Sequence, residues 1–122
     1  MYKEEAKQIE GLITDYFEGI FYGDAERLEK CFHNNVYIYG DVKGADYLKS
    51  VEEYIAGVKN RESPQDLNED FKMKIIGMEI LGKVAYAKLH VPMLGYNYYD
   101  FIALAKIQDD WKIVNKVFTH VV

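Results

Sequence analysis

Apolar residues recur every three or four positions along the first sixty residues and alternate along the last fifty. Ile9, Leu12, Ile13, Tyr16, Phe17, Ile20 and Phe21 share one face of a helix, the spacing that buries a single stripe. Glu4 and Glu5 occupy its first turn, where the macrodipole favours acid, and Gly23 stops it. Asp24 is placed to cap a short second helix over AERLEKCF. NNVYIYG reads as a short strand. After Gly44, the spacing of Leu48, Val51, Tyr54, Ile55 and Val58 predicts a third helix. NRESPQDLNED is polar, holds Pro64 and shows no period, so a surface loop is expected there. Strands are predicted near 71–81, 83–93, 97–107 and 111–120, with turns at Gly82-Lys83, Gly95-Tyr96 and Gln108-Asp109-Asp110. Helices followed by an antiparallel meander is the α+β pattern, with the helices on one face of the sheet.

The run YNYYDFIALAKI, residues 96–107, carries a carboxylate among strand-forming residues. Hairpin register decides which face it occupies. Two-residue turns would pair Ile80 with Ala85, Met78 with Ala87, Leu89 with Ile102 and Val91 with Asp100. Asp100 would then share a face with Trp111, Ile113, Asn115 and Val117. That face also holds Ile76, Met78, Ile80, Ala85, Ala87, Leu89, Val91, Met93, Tyr98, Ile102 and Leu104, so it is the one the helices cover. The opposite face would carry Glu79, Tyr86, Lys88, His90, Tyr99, Phe101, Lys116 and Phe118. An isolated buried carboxylate costs several kcal/mol. Asp100 therefore needs hydrogen-bond partners, a proton, or a water-containing cavity. Each makes a polar spot in an apolar chamber, the usual plan of a small-molecule pocket.

Composition narrows the partners. At 122 residues the chain suits one domain with one core. The net charge of −5 and the lack of a Lys/Arg cluster argue against nucleic acid. No apolar run reaches the length of a membrane span, and no basic-then-apolar secretory pattern is visible. Cys31 has no cysteine to pair with inside the chain, which suits a reducing compartment. The expected location is the cytoplasm. Eleven tyrosines stand out; each brings apolar area and a hydroxyl that seeks a partner.

Gly23-Asp24-Ala25, Phe32-His33, Gly40 and the ending YYDFIALAKIQDDWKIVNKVF, with the order of elements around them, resemble the nuclear-transport-factor-2-like superfamily. The SnoaL-like members and the lumazine-binding group are the most similar. The resemblance covers almost the whole length. It implies a cone of three N-terminal helices on a strongly curved, mostly antiparallel sheet, with a pocket between them. It also implies a homodimer packed through the sheet's outer surface and, for the superfamily's enzymes, metal-independent proton transfer by cavity carboxylates, histidines or tyrosines. Asp109-Asp110 departs from the Asp-Gly that relatives carry before the tryptophan.

Asp100 is the candidate for general acid/base chemistry or for anchoring a ligand; a structural carboxylate bonded to Asn115, a tyrosine or Thr119 is the alternative. Asn115 is a candidate donor to a ligand carbonyl or oxyanion, or simply a partner for Asp100. Tyr16, Tyr54 and Tyr98 are candidate phenol donors or packing residues. Trp111 would floor the pocket or anchor the sheet. His33, His90 and His120 lack metal-ligand spacing, Cys31 reads as a small buried hydrophobe, and neither metal nor cofactor is expected. Three functions remain open: a binder of a small apolar or aromatic molecule, an isomerase, cyclase or dehydratase using Asp100, and a dimeric association module without ligand.

Overall fold

The computed structural model describes residues 2–122. Its elements run α1 (Tyr2–Tyr22), α2 (Ala25–Glu29), β1 (Tyr37–Val42), β2 (Ala45–Ser50), α3 (Val51–Asn60), β3 (Lys74–Leu81), β4 (Val84–Met93), β5 (Tyr96–Ile107) and β6 (Asp110–Val121). The strands form one curved, unclosed sheet in the order β2-β1-β6-β5-β4-β3. Neighbours are antiparallel except β1 beside β6. The inner stripe of α1, from Ile9 to Phe21, joins Ile38, Ala87, Leu89, Val91, Ile102, Leu104 and Ile113 in one core.

Local chemistry explains the helix ends. Gly23 takes φ +67°, and the amides of Gly23 and Asp24 reach back to the carbonyls of Ile20 and Gly19, a Schellman ending to α1. Asp24 then caps α2 by accepting from the Arg27 amide. The third helix starts later than the spacing after Gly44 suggested. Lys43 and Gly44 both have positive φ and turn β1 into β2 as a tight hairpin. Leu48 lies on β2 and is 59% exposed. The start signal of α3 is the capping box of Ser50 and Glu53.

Three registers differ from expectation, with unequal consequences. The β4–β5 turn is Leu94-Gly95, so Leu89 opposes Asp100 and Val91 opposes Tyr98. That slip of two residues preserves every face. Leu94 has φ +55°, and its amide donates to the Glu69 carboxylate of the 61–73 loop, which holds the turn. A bulge at Ile76 turns it outward, 45% exposed, and half-buries Ile75 instead. In β6, Leu104 opposes Ile113 but Ala103 opposes Asn115. Val114 is the extra residue of a bulge, which reverses the parity of the rest of the strand. Lys116 and Phe118 therefore turn inward, whereas Asn115 and Val117 face solvent. The β5–β6 turn is Gln108-Asp109, both at positive φ; Asp110 already belongs to β6 and needs no glycine. No helix among the described residues is long and apolar enough to cross a membrane.

Candidate functional site

Asp100 sits in mid-β5, faces the helices and is 3% exposed. Tyr16, from the buried stripe of α1, donates its hydroxyl hydrogen to Asp100 Oδ2 at 2.5 Å. The β6 bulge brings in Lys116, whose Nζ is 3.9 Å from the same oxygen and donates to the Tyr54 hydroxyl of α3 at 2.9 Å. Lys116 Nζ also lies 5.1, 4.1 and 5.3 Å from the ring centres of Tyr16, Tyr54 and Phe118. A buried ion pair is tolerable only with such support, since desolvation otherwise exceeds the attraction; aromatic faces and a hydroxyl supply it here. Four polar side chains from α1, α3, β5 and β6 thus form one chain of contacts, Tyr16–Asp100–Lys116–Tyr54.

Burial, and then the Asp100 charge, raise the Tyr16 phenol well above its ordinary range near 10. Burial pushes Tyr47 up to about 12, and it raises Tyr98 as well. All three therefore stay protonated near neutral pH; Tyr16 donates to Asp100, and the hydroxyls of Tyr47 and Tyr98 are available to donate.

A chamber opens beside this chain, lined by Ile20, Val91, Met93, Tyr98 and Phe118 among apolar residues and by Asp100, Lys116 and Arg61 among charged ones. It leaves about 60 Å³ for the centres of water-sized spheres, several times the roughly 10–15 Å³ that one ordered water needs. Drug-sized ligands occupy roughly 300–1,000 Å³. As it stands the chamber holds a few waters; a benzene-sized ring needs a cavity of about 150 Å³, so an aromatic or longer ligand enters only if wall side chains move. Arg61 caps the C-terminal end of α3. Its Nε and Nη2 are buried and find no hydrogen-bond partner among the described residues. Each buried donor left unpaired costs about 1–3 kcal/mol.

A wider groove of about 580 Å³ lies on the outer face of the sheet, lined by Lys88, Tyr99, Phe101, Val117, Thr119 and Val121. It is the larger concavity, but no buried charge faces it. The chamber is the better candidate because buried, mutually positioned polar groups line it.

Of the residues singled out from sequence, Tyr16, Tyr54, Tyr98 and Asp100 come together here. Two do not. Asn115 is exposed because the Val114 bulge reverses the strand, so it neither lines the chamber nor bonds Asp100. Trp111 lies away from the chamber, where its Nε1 donates to Glu5 Oε2 at 2.6 Å beside the Glu5–Lys106 ion pair at 3.0 Å; it ties the β5–β6 hairpin to the start of α1. Lys116, Arg61 and Tyr47 lie in the site without having been singled out. Two breaks in the alternation of β6, Ile113-Val114 and Val117-Phe118, are the signal that betrays the bulge. His33 lies at the α2–β1 junction, where its amide donates to the Ile113 carbonyl. His90 bonds Asn97 and stacks on Tyr99. His120 accepts from the Lys43 amide. No group of three potential metal ligands occurs among the described residues.

Residues 4–119 match the family described as "Putative lumazine-binding". The fold is shared with an NTF-2-like protein of unknown function from Silicibacter pomeroyi DSS-3, with a TM-score of 0.90, 21% identity and 99% of each chain covered. A second such protein, from Shewanella baltica OS155, has a TM-score of 0.88, 22% identity and coverage of 100% and 98%. A cystatin-like fold protein from Burkholderia xenovorans LB400 has a TM-score of 0.71 at 15% identity, with 95% and 91% covered. No curated protein matches the chain significantly.

Proposed function

The chain belongs to the lumazine-binding family of the nuclear-transport-factor-2-like superfamily, and from that premise we propose that it holds a compact, largely apolar or aromatic molecule in the chamber between helices and sheet. The fold is one that supports ligand binding. The observation that carries the reading is the set of polar groups, Asp100, Lys116 and Tyr54 at the cavity wall with Tyr16 bonded to Asp100, gathered with Arg61 around a cavity whose other walls are apolar and aromatic. Apolar walls supply affinity and the few polar groups orient the ligand. Burying a charge pair adds nothing to a core that could be filled with methylenes, so its presence at a cavity wall favours a binding role over a purely structural one.

Native mass spectrometry of protein purified under gentle conditions tests this. The reading expects a small-molecule adduct that is lost on denaturation and absent from Val91→Phe, which fills the cavity. An adduct retained in full by that variant places the ligand elsewhere.

A second reading is proton-transfer catalysis of the isomerase, cyclase or dehydratase type. It is favoured by a proton-bearing group, Tyr16, bonded to one oxygen of Asp100, with the Lys116 ammonium 3.9 Å from the same oxygen. Asp100 would take a proton from a bound carbonyl or ring compound and return it at a neighbouring atom. If so, Asp100→Asn abolishes turnover of the identified ligand while binding persists.

The outer face completes the proposal. Phe101 and Tyr86 are 55% and 53% exposed there, alongside the apolar groove. The occupant we assign to this face is a second copy of the chain.

A further inference from the structure

We propose that the ligand carries a carboxylate, and that Arg61 is the residue that reads it. This rests on the chamber being the binding site and goes further, to the chemical class of the molecule. The two partnerless nitrogens of Arg61, Nε and Nη2, lie on the same edge of the guanidinium. That edge is the planar fork whose two N–H groups match the two oxygens of a carboxylate. They are buried, so bulk water does not satisfy them, and Arg61 lines the chamber.

Charge balance points the same way. Asp100 and Lys116 face each other at 3.9 Å and cancel. Arg61 then leaves the charged residues of the chamber wall, Arg61, Lys116 and Asp100, with one net positive charge. A monoanion neutralises it. A phosphate dianion would add a second charge in the same small space as Asp100, and its tetrahedral head needs more room than a flat carboxylate. The remaining wall, with Tyr98, Met93 and Phe118, suits an apolar or aromatic body. Donors at the Asp100 end, including the Tyr54 hydroxyl and Lys116, suit a polar substituent at the other end of the ligand. The class is therefore a compact aromatic or short aliphatic monocarboxylic acid.

The test compares matched acids and amides, benzoate with benzamide and hexanoate with hexanamide, by NMR titration of the intact protein. Binding is read from resonances of Tyr54, Tyr98, Asp100 and Lys116. The acids should bind at least about tenfold more tightly than their amides, the scale of a charge-assisted hydrogen bond. Arg61→Leu should reduce that preference to near unity, and Arg61→Lys, which keeps the charge and loses the fork, should restore only part of it. In the absence of ligand Arg61→Leu should melt no lower than the parent, because the two buried nitrogens it removes, Nε and Nη2, were unpaired; a lower melting point would make Arg61 structural and overturn the assignment. Acids and amides binding equally, or a preference that survives Arg61→Leu, overturns the carboxylate assignment and leaves the chamber as the site. Phenyl phosphate binding more tightly than benzoate overturns the monoanion class. If no acid or amide moves the chamber resonances, the carboxylate assignment falls, while the chamber reading is decided separately by the adduct in native mass spectrometry.

Discussion

Replacing Asp100 by Asn and Lys116 by Met, singly and together, measures how far the two charges depend on each other. At 3.9 Å and an effective dielectric near 20, their attraction is about 4 kcal/mol. Their side chains are only 5% and 4% exposed, so solvent screening takes little of it. Asp100→Asn keeps an acceptor for Tyr16 but leaves Lys116 with only the Tyr54 hydroxyl and aromatic faces. Lys116→Met leaves the carboxylate with Tyr16 as its remaining partner. Orphaning one member of a buried pair costs about 3–5 kcal/mol, and the support that remains on each side puts both singles near the lower end. The double variant removes both charges, so its loss should fall about 2–3 kcal/mol short of the sum of the singles. Urea unfolding followed by the fluorescence of the buried Trp111 provides the three stabilities. Additivity within about 0.5 kcal/mol would show that the charges do not interact and would refute the proposed polar chain.

Gly40 opposes Phe118 across the parallel β1–β6 pair, and a Cβ there would overlap the Phe118 ring. Gly40→Ala should cost about 1–3 kcal/mol, and adding Phe118→Leu should recover part of it in thermal melts; no recovery would locate the strain elsewhere. Hydrogen bonds from Lys106 and then Trp111 lower the Glu5 carboxyl from its ordinary value of 4.5, so its contribution is present above that value and lost as pH falls through the lowered one. In melts across acid pH, the parent should be more stable than Glu5→Gln near neutrality and converge with it below about 4.5; a gap independent of pH would contradict the assignment. Burial pushes the Cys31 thiol up to about 12, so a disulfide reagent should label it slowly in native protein and rapidly in urea, equal rates being the contrary result. Light scattering should give twice the chain mass and Phe101→Glu the monomer mass; a monomeric parent at high concentration would remove the proposed interface.

Strand parity carried the sequence reading a long way and then failed at two bulges, the one at Ile76 turning a single side chain outward and the one at Val114 altering the site. The turn between β4 and β5 lies one residue earlier than expected, yet Asp100 still faces inward because a two-residue slip in pairing restores each side chain to its face. The bulge at Val114 inserts a single residue, and one residue is enough to exchange Asn115 for Lys116 as the neighbour of Asp100. Tyr16 and Tyr54 were legible because helical spacing alone puts them on buried faces. Arg61 was not, since it follows α3 at the start of a polar, aperiodic loop, and only the packed structure shows that two of its donors are buried. The tight turn at Lys43-Gly44 hid β2 for a related reason: Leu48 continues the three- and four-residue spacing of Val51, Tyr54, Ile55 and Val58, and the competing signal, the Ser50–Glu53 box, marks the helix start only when read as a cap.

The central claim is that the cavity beside Asp100 is where this protein meets its ligand. A crystal structure of the protein soaked with a compact fragment library tests it most directly. We expect at least one fragment seated in the chamber against Tyr98 and Phe118, within hydrogen-bond distance of Asp100, Tyr54 or Lys116. Fragments bound only in the outer groove, with the chamber holding nothing but water, would contradict the account.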